Sequence, residues 1–385
     1  MTTDPDARLP ELTARRLPEA TALLETLVNL DTCSRAPAAL AAAADWLEAQ
    51  LRDLGLEVER RDAPSGPTLI GRAAGRGGRR LLLLGHYDTV FEPGEPQRRP
   101  FRTHGDRAYG PGVADMKGGL VVLWEALRAL RAIGWDDYGA LTVIHNHDEE
   151  VGSLSSRPHI EAAAREADVC LVLEPGRPDG SIVAARKGVA RFVLAVHGKA
   201  AHAGVAPQDG ASAVVALAHK IVALHALNDH AGGVSVNAIV TRGGTRANVV
   251  PDLAEAEIDV RVPTPAAGEA VAARIGAIAA VQDLPGTRAE LAGGAERPPF
   301  ERTAAVEALV ALARGEAARL GVELRATATG GGSDGNFVAA LGVPVLDGLG
   351  AVGGAYHSPE EYLLLHTVPE RAALLALLLR RLGRR

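Results

Sequence analysis

The sequence predicts an α/β protein in which a mostly parallel sheet carries helices on both faces and a smaller α+β domain is inserted. Short, wholly apolar segments alternate with longer segments of helical spacing near both ends of the chain, and this alternation is typical of parallel strands buried on both faces. Residues 254–262 instead alternate apolar and polar side chains, as a strand with one exposed face does. With 385 residues, the chain also favours two domains over one.

The first elements of the larger domain follow from the spacing of apolar residues. Leucines recur at helical spacing over 38–54 and again from about 118 to 130, which predicts two helices. The wholly apolar segments 81–84, 141–144 and 169–173 are predicted to be buried strands. Together they predict alternating strands and helices.

The middle of the chain predicts a different architecture. Its expected elements are three strands and two helices, at 191–196, 234–240, 254–262, 212–227 and 266–280. We therefore predict that residues 186–296 form the inserted α+β domain. Residues 1–185 and 297–385 are predicted to form the discontinuous larger domain.

The C-terminal part returns to the first pattern. Apolar spacing predicts a helix over 303–320, a loop over 329–336 and a strand over 342–346, followed by a C-terminal helix. These elements complete the predicted parallel sheet.

Composition excludes several classes of function. The net charge of −6 and the 3% of aromatic residues argue against a nucleic-acid partner. Cys33 and Cys170 cannot form a disulfide framework, and Cys170 lies in an apolar run typical of a buried, inert thiol. The N-terminus lacks the pattern of a secretory signal, and no apolar run approaches the roughly 18 residues of a membrane helix. We expect a cytoplasmic protein without membrane contact.

Acidic residues and histidines follow the predicted strands. The segments are Gly85-His86-Tyr87-Asp88, Gly112-Val113-Ala114-Asp115, Asp148-Glu149-Glu150, Leu173-Glu174-Pro175 and Tyr356-His357-Ser358. Since open α/β sheets bind ligands beyond their strand ends, we expect these side chains to converge. His86 and Asp88 stand two apart, so that His86 can bind a metal while Asp88 holds its other ring nitrogen.

The chemistry of these side chains points to metal ions. Imidazole with carboxylate suits zinc, with Co²⁺ or Mn²⁺ as alternatives. The three consecutive carboxylates at 148–150 repel one another unless cations or protons intervene. Each segment alone also fits a plain polar turn, a helix cap at Asp115 or a surface charge run. The glycine-rich loop around Asp115, residues 109–119, matches neither the P-loop motif GxxxxGK[ST] nor the dinucleotide-binding motif GxGxxG.

Taken in order, these segments resemble those of the M20 family of metallopeptidases, and within it the folate-hydrolysing glutamate carboxypeptidases of bacteria. Further matching segments lie at 198–204, 248–251, 259–261 and 330–334, and the resemblance runs from about Ala20 to Leu379. It implies a di-zinc exopeptidase-like catalytic domain. It also implies that the inserted domain is a lid that mediates a homodimer.

The resemblance implies a ligand role for five residues. His86 and Glu174 would hold one divalent ion, and Glu150 and His357 would hold the other. Asp115 would bridge the two ions.

The resemblance also implies two supporting roles and one backbone feature. Asp88 would orient His86, and Glu149 would act as general base and then as general acid. The peptide bond between Asp115 and Met116 would be cis.

Substrate contacts are implied for four residues of the inserted domain and its boundary. His202 would hold the reacting carbonyl from across the dimer, and Asn248 and Arg261 would contact the carbonyl or the substrate. Arg297 would grip a substrate carboxylate, for which a planar guanidinium is suited. A strand-end histidine without a role is the alternative for His202, and a plain surface arginine is the alternative for Arg261.

One departure from the glutamate-specific pattern bears on the substrate. Those enzymes carry a lysine shortly after the segment that matches Glu174-Pro175. Residues 177–181 of this chain contain no lysine, and the next lysine is Lys187. Arg186 or Lys187 could substitute for it.

The predicted reaction is hydrolysis of an amide bond next to a C-terminal amino acid, with glutamate-type substrates favoured. Two ions about 3.5–4 Å apart would lower the pKa of a shared water towards roughly 7, and Glu149 would take its proton. An N-acyl-amino-acid deacylase or desuccinylase of the same family is the alternative enzyme. Two alternatives involve no amide hydrolysis. They are a non-catalytic binding protein on the same scaffold and a metal-free nucleotide-binding protein. The expected partner is a small peptide or N-acyl amino acid.

Overall fold

A computed structural model describes residues 5–384, and their strands form one six-stranded sheet, two four-stranded sheets and one two-stranded sheet. The strands are β1 Glu57–Ala63, β2 Gly66–Ala74, β3 Arg80–His86, β4 Arg102–His104, β5 Arg107–Tyr109, β6 Ala140–Asn146, β7 Val169–Val172, β8 Ile182–Arg186, β9 Gly188–His197, β10 Ser235–Gly243, β11 Leu253–Val262, β12 Arg288–Arg297, β13 Ala326–Thr329, β14 Val345–Leu346, β15 Gly353–Gly354 and β16 Tyr362–Leu364. The helices are α1 Pro5–Arg15, α2 Leu17–Asn29, α3 Pro37–Asp53, α4 Glu95–Arg98, α5 Gly118–Ala132, α6 Arg157–Glu166, α7 Ala213–His225, α8 Pro265–Ala280, α9 Ala304–Arg319, α10 Gly335–Ala340 and α11 Thr367–Gly383.

The six-stranded sheet has the order β1-β2-β6-β3-β7-β14. Strand β3 pairs in parallel with β6 and β7, and β14 pairs in parallel with β7. Strands β1 and β2 add an antiparallel edge. The four leucines of β3 are at most 2% exposed, because the strand is covered on both faces as its sequence predicts. The mostly parallel α/β sheet is thus confirmed.

Helix α5 lies close to the end of β7. It begins at Gly118, as the apolar spacing predicts, and packs against α11. A methyl group at position 119 would overlap the carbonyl oxygen of Leu173. Gly119 therefore allows the start of α5 to approach the strand end that carries Glu174.

Contacts divide the chain into two units. One comprises the chain up to Ala185, Arg302–Thr329 and the chain from Ser333 onward, and the other comprises Arg186–Glu301 and Gly330–Gly332. In the second unit, an antiparallel sheet of order β10-β11-β9-β12 packs against α7 and α8. The inward side chains of β11 are buried: Ala254, Ala256, Ile258, Val260 and Val262. Their alternation with polar residues is the pattern that predicts this strand.

Several elements differ from the sequence prediction. Helices α3 and α9 agree with it to within a residue, whereas β14 covers only the last two residues of the predicted strand at 342–346. The predicted loop at 329–336 contains the end of β13 and the start of α10. Among residues 5–384, no helix combines the length and apolar character that crossing a membrane requires.

Candidate metal centre

The ends of the parallel strands place three of the predicted segments beside one another. His86 is the last residue of β3, Glu174 follows β7 by two residues, and the acidic segment at 148–150 follows β6. The parallel pairing of β3 with both neighbours brings these ends to one edge of the sheet. Asp115 lies in an irregular turn, Val113–Lys117, just before α5.

The carboxylate of Asp115 stands between two imidazole rings. Its Oδ1 is 3.3 Å from Nε2 of His86, and its Oδ2 is 3.2 Å from Nε2 of His357. The two histidines are 271 residues apart in the sequence (357 − 86), so only the fold brings them together. The peptide bond between Asp115 and Met116 is cis, as the resemblance implied.

Each imidazole also faces a second carboxylate. Nε2 of His86 is 3.7 Å from Oε1 of Glu174, and Nε2 of His357 is 3.4 Å from Oε2 of Glu150. Side-chain atoms of His86, Asp115 and Glu150 lie within 4.8 Å of one another. The five side chains therefore form two groups of donors that share Asp115.

Asp88 connects β3 with the acidic segment. Its carboxylate accepts hydrogen bonds from the backbone N–H groups of Glu149 and Glu150, both at 3.2 Å, and from the hydroxyl of Ser34 at 2.7 Å. Nδ1 of His86 is 3.3 Å from this carboxylate and 3.1 Å from the backbone carbonyl of Asp88. The carboxylate oxygen and the carbonyl oxygen of Asp88 can each accept the Nδ1 proton of His86. Nε2 of His86 then faces Asp115 and Glu174.

The surroundings of these side chains raise the pKa values of both histidines and of Glu150. Burial opposes protonation of His86, but hydrogen bonds to Asp115 and Asp88 outweigh it and raise its pKa well above the usual value. The hydrogen bonds to Asp115 and Glu150 raise the pKa of His357 to about 11. Burial and the charge of Asp115 raise the pKa of Glu150, although His357 opposes them. The carboxylates thus attract protons and other cations.

This donor set fits divalent metal ions. Four donors that each bind zinc at about 2.0–2.1 Å in a tetrahedron stand roughly 3.3–3.4 Å from one another. The four nitrogen–oxygen distances in the cluster lie between 3.2 and 3.7 Å. Two groups that share one carboxylate match a pair of ions with a bridging ligand, and imidazole with carboxylate suits zinc and similar ions.

His202 and Asn248 are neighbours in the second unit. Residues His202 and Val249 form an antiparallel bridge, and the N–H of Ala203 donates to the carbonyl of Asn248 at 3.0 Å. Both His202 and Asn248 are exposed. Nδ1 of His202 accepts the N–H of Gly204 at 3.1 Å, which leaves Nε2 as the nitrogen that can carry the proton.

The two predicted substrate arginines have different surroundings. Arg261, on β11, makes two hydrogen bonds of 2.8 Å to the carboxylate of Asp259. Arg297, at the end of β12, is only 8% exposed and packs against Gly332. Arg186, named as a substitute for the missing lysine, donates to the carbonyls of Gly331 and Gly332, both at 3.3 Å.

Two histidines beside the acidic segment have structural contacts. Nε2 of His145 accepts the indole N–H of Trp124 at 3.1 Å, and burial lowers the pKa of His145 to about 4. Nε2 of His147 contacts the hydroxyls of Ser65 and Ser155.

Sequence reasoning missed two buried carboxylates that support the site. Asp334 accepts hydrogen bonds from the side chains of Asn146, at 2.8 Å, and Ser153, which flank the acidic segment. Glu361 accepts hydrogen bonds from the backbone of the Asp115 turn. Asp334 lies in the Gly330–Asp334 segment that carries part of the resemblance, whereas no local pattern singles out Glu361.

Comparisons with known proteins show the family of this chain. Residues 82–381 match the model of the peptidase family M20/M25/M40. Carboxypeptidase G2 of a Pseudomonas species is 36% identical over 369 residues, covering 94% of this chain and 88% of that protein. The succinyl-diaminopimelate desuccinylase of Alkalilimnicola ehrlichii is 30% identical over 82% of this chain and 87% of its own. An M20 family metallo-carboxypeptidase from Sulfolobus solfataricus has a similar fold, with a TM-score of 0.75, 18% identity and coverage of 95% and 99%.

Proposed function

The chain belongs to peptidase family M20/M25/M40 and is a metal-dependent hydrolase, and from this premise we propose that it is a carboxypeptidase. The bond cleaved is the amide next to a C-terminal amino acid, with glutamate-type substrates favoured. The observation that carries the proposal is the carboxylate of Asp115, which faces the imidazoles of His86 and His357 through different oxygens. Similarity to Carboxypeptidase G2 over 94% of the chain supports the carboxypeptidase assignment.

Two divalent ions, most simply zinc, would occupy the two groups of donors. His86 and Glu174 would hold one ion, Glu150 and His357 the other, and Asp115 would contact both. Such ions supply Lewis acidity and lower the pKa of water at neutral pH. The spacing of the donor atoms supports this assignment because it matches the edge of a zinc tetrahedron.

Glu149 and His202 would take part in the reaction itself. Glu149 would accept a proton from the attacking water and deliver it to the leaving amine. Its backbone N–H is held by Asp88, which would fix the base relative to His86. His202 would donate its Nε2 proton to the carbonyl oxygen of the substrate as negative charge develops there.

The substrate's C-terminal carboxylate would bind the guanidinium of Arg297. Its burial supports this role, because a guanidinium held by packing loses little entropy when it pairs with a carboxylate. Arg186 lies against the same glycine-rich segment and could replace the lysine that glutamate-specific enzymes carry elsewhere.

A second candidate function is removal of an acyl group from an N-acyl amino acid. The 30% identity to a succinyl-diaminopimelate desuccinylase favours it specifically. The same ions and the same base would serve, and only the contacts to the acyl group and the side chain would differ.

The second unit would serve as a lid and as the interface of a homodimer. Its edge strand β10 exposes Ile239 and Val240, which are 52% and 56% exposed. Exposed apolar side chains on an edge strand favour contact with another chain. Light scattering from the purified protein gives the oligomeric state directly.

A substrate panel tests the proposed function. Protein reconstituted with Zn²⁺ would be assayed against folates, N-acyl glutamates, dipeptides and acetylated amino acids, with a chelator-treated sample as control. We expect hydrolysis of C-terminal glutamate amides that requires the metal. Preferential cleavage of succinylated or acetylated amino acids would establish the second candidate instead.

A further inference from the structure

The buried carboxylate of Glu361 binds the backbone of the turn that carries Asp115. The residue is fully buried. Its Oε1 accepts the N–H groups of Ala114 and Asp115, and its Oε2 accepts the N–H of Gly112, all three at 2.9 Å. A carboxylate that accepts several backbone N–H groups makes strong, directional hydrogen bonds.

These three N–H groups need an external acceptor. Asp115 has φ −108° and ψ 96°, and Gly112 has φ 72°, so the backbone departs from a regular helix here. Buried backbone N–H groups outside a regular element require a partner such as a side-chain oxygen. Glu361 supplies that partner for three residues at once.

Glu361 also belongs to the segment that carries His357. Its own N–H donates to the carbonyl of Ser358 at 3.2 Å. The next residue, Tyr362, begins β16 and pairs with Tyr109 of β5, just before the turn. One carboxylate therefore joins the segment of His357 to the turn of Asp115.

The position of this turn matters because the carboxylate of Asp115 faces two imidazoles. Its two oxygens lie 3.3 and 3.2 Å from the imidazoles of His86 and His357. A shift of the turn cannot improve one contact without changing the other. Residues that orient metal ligands through hydrogen bonds commonly change metal affinity by about 10–100-fold when they are replaced.

We propose that Glu361 is a positioning residue that sets the metal affinity of the site by holding the turn of Asp115 in register with His357. This inference rests on the proposed two-metal function. Glu361 reaches the metals only through Asp115 and His357, so its effect is on binding of the ions and not on proton transfer.

The test is Zn²⁺ affinity, measured by competition with a chromophoric chelator. Glu361→Gln preserves the shape but places an amide N–H₂ against backbone donors, and we expect at least a tenfold loss of affinity. Glu361→Asp keeps the charge and should retain an affinity between those of Glu361→Gln and the unmodified protein. If Glu361→Gln does not fold, Glu361→Asp alone carries the test, with a weakened affinity still expected.

Glu125→Gln is the matched control. Glu125 is also buried and pairs with Arg16 and Arg128 in the same unit, so its loss should lower stability but leave Zn²⁺ affinity unchanged. Equal affinity in the Glu361 variants and the unmodified protein would overturn the inference, as would equal losses in Glu125→Gln. Failure of the unmodified protein to bind Zn²⁺ would instead overturn the proposed function.

Discussion

The backbone N–H of Glu149 donates to the carboxylate of Asp88 across 3.2 Å. The same carboxylate lies 3.3 Å from Nδ1 of His86. The proposed base and a proposed metal ligand are thus held by one buried side chain. This contact joins the segments that follow two parallel strands and holds residues 61 positions apart beside one another.

Asp88→Asn should lower kcat/KM by about 10–100-fold, which is the usual cost of removing the group that orients a metal ligand. The amide can still accept one hydrogen bond, but its N–H₂ faces the donors that the carboxylate now satisfies. Steady-state kinetics and zinc content of the purified variant would be measured together. Ser34→Ala, which removes one donor and keeps the carboxylate, is the control and should lose far less. Unchanged kcat/KM in Asp88→Asn would exclude Asp88 from this role.

Glu149→Gln should bind two equivalents of zinc yet lose turnover by about 10²–10⁴-fold, because a positioned base contributes about that much. Glu150→Gln is the contrasting variant and should lose metal, since Glu150 faces His357. Elemental analysis and kcat on the zinc-loaded proteins distinguish the two effects. Equal turnover in Glu149→Gln would remove Glu149 from the mechanism.

His202→Ala should act mainly on kcat, with a decrease of about 10²–10³-fold typical of a lost oxyanion donor. His230, another exposed histidine of the same unit, provides the control variant His230→Ala, which should retain full activity. Separate determination of kcat and KM is the measurement. A change confined to KM would make His202 a binding residue only.

Asp6→Asn should destabilise the protein in a pH-dependent way. Asp6 contacts Arg380 at 2.5 Å and Arg319 at 3.1 Å, and its side chain is 7% exposed. Burial opposes its charge, but these arginines outweigh burial and lower the pKa of Asp6 below its usual value of 3.8. Because folding lowers this pKa, the stabilisation is complete above the unfolded value and is lost as the pH falls through the folded value.

We therefore expect Asp6→Asn to reduce the free energy of unfolding by about 1–3 kcal/mol at pH 7. The difference from the unmodified protein should shrink below about pH 4. Urea unfolding at pH 7 and below pH 4 measures this difference in the free energy of unfolding. Asp45→Asn is the control, because the side chain of Asp45 is 73% exposed. A difference that does not change with pH would show that the charge of Asp6 is not responsible.

The sequence predicted the strand ends and the donor residues for physical reasons. A strand buried on both faces needs consecutive apolar residues, and a metal site needs imidazoles and carboxylates, so both leave local patterns at His86 and at 148–150. The fold places these side chains within a few ångströms of one another. Their roles as ligands and as base stay predictions until metal is measured.

The supporting residues left no such pattern. Glu361 and Asp334 accept hydrogen bonds from groups 246 and 188 residues away, and one or two acidic residues in a loop have no periodic signature. The antiparallel strand β2 was missed for a related reason. Of its two neighbours, β1 precedes it directly but β6 is not adjacent in sequence, so the place of β2 in the six-stranded sheet is decided by tertiary contacts.

Diffraction from crystals grown with Zn²⁺, recorded at the zinc absorption edge, tests the central claim most directly. We predict two anomalous peaks beside the carboxylate of Asp115, one in contact with His86 and Glu174 and the other with His357 and Glu150. A single peak, or peaks elsewhere with His86 and His357 turned into separate regions, would contradict the two-metal assignment.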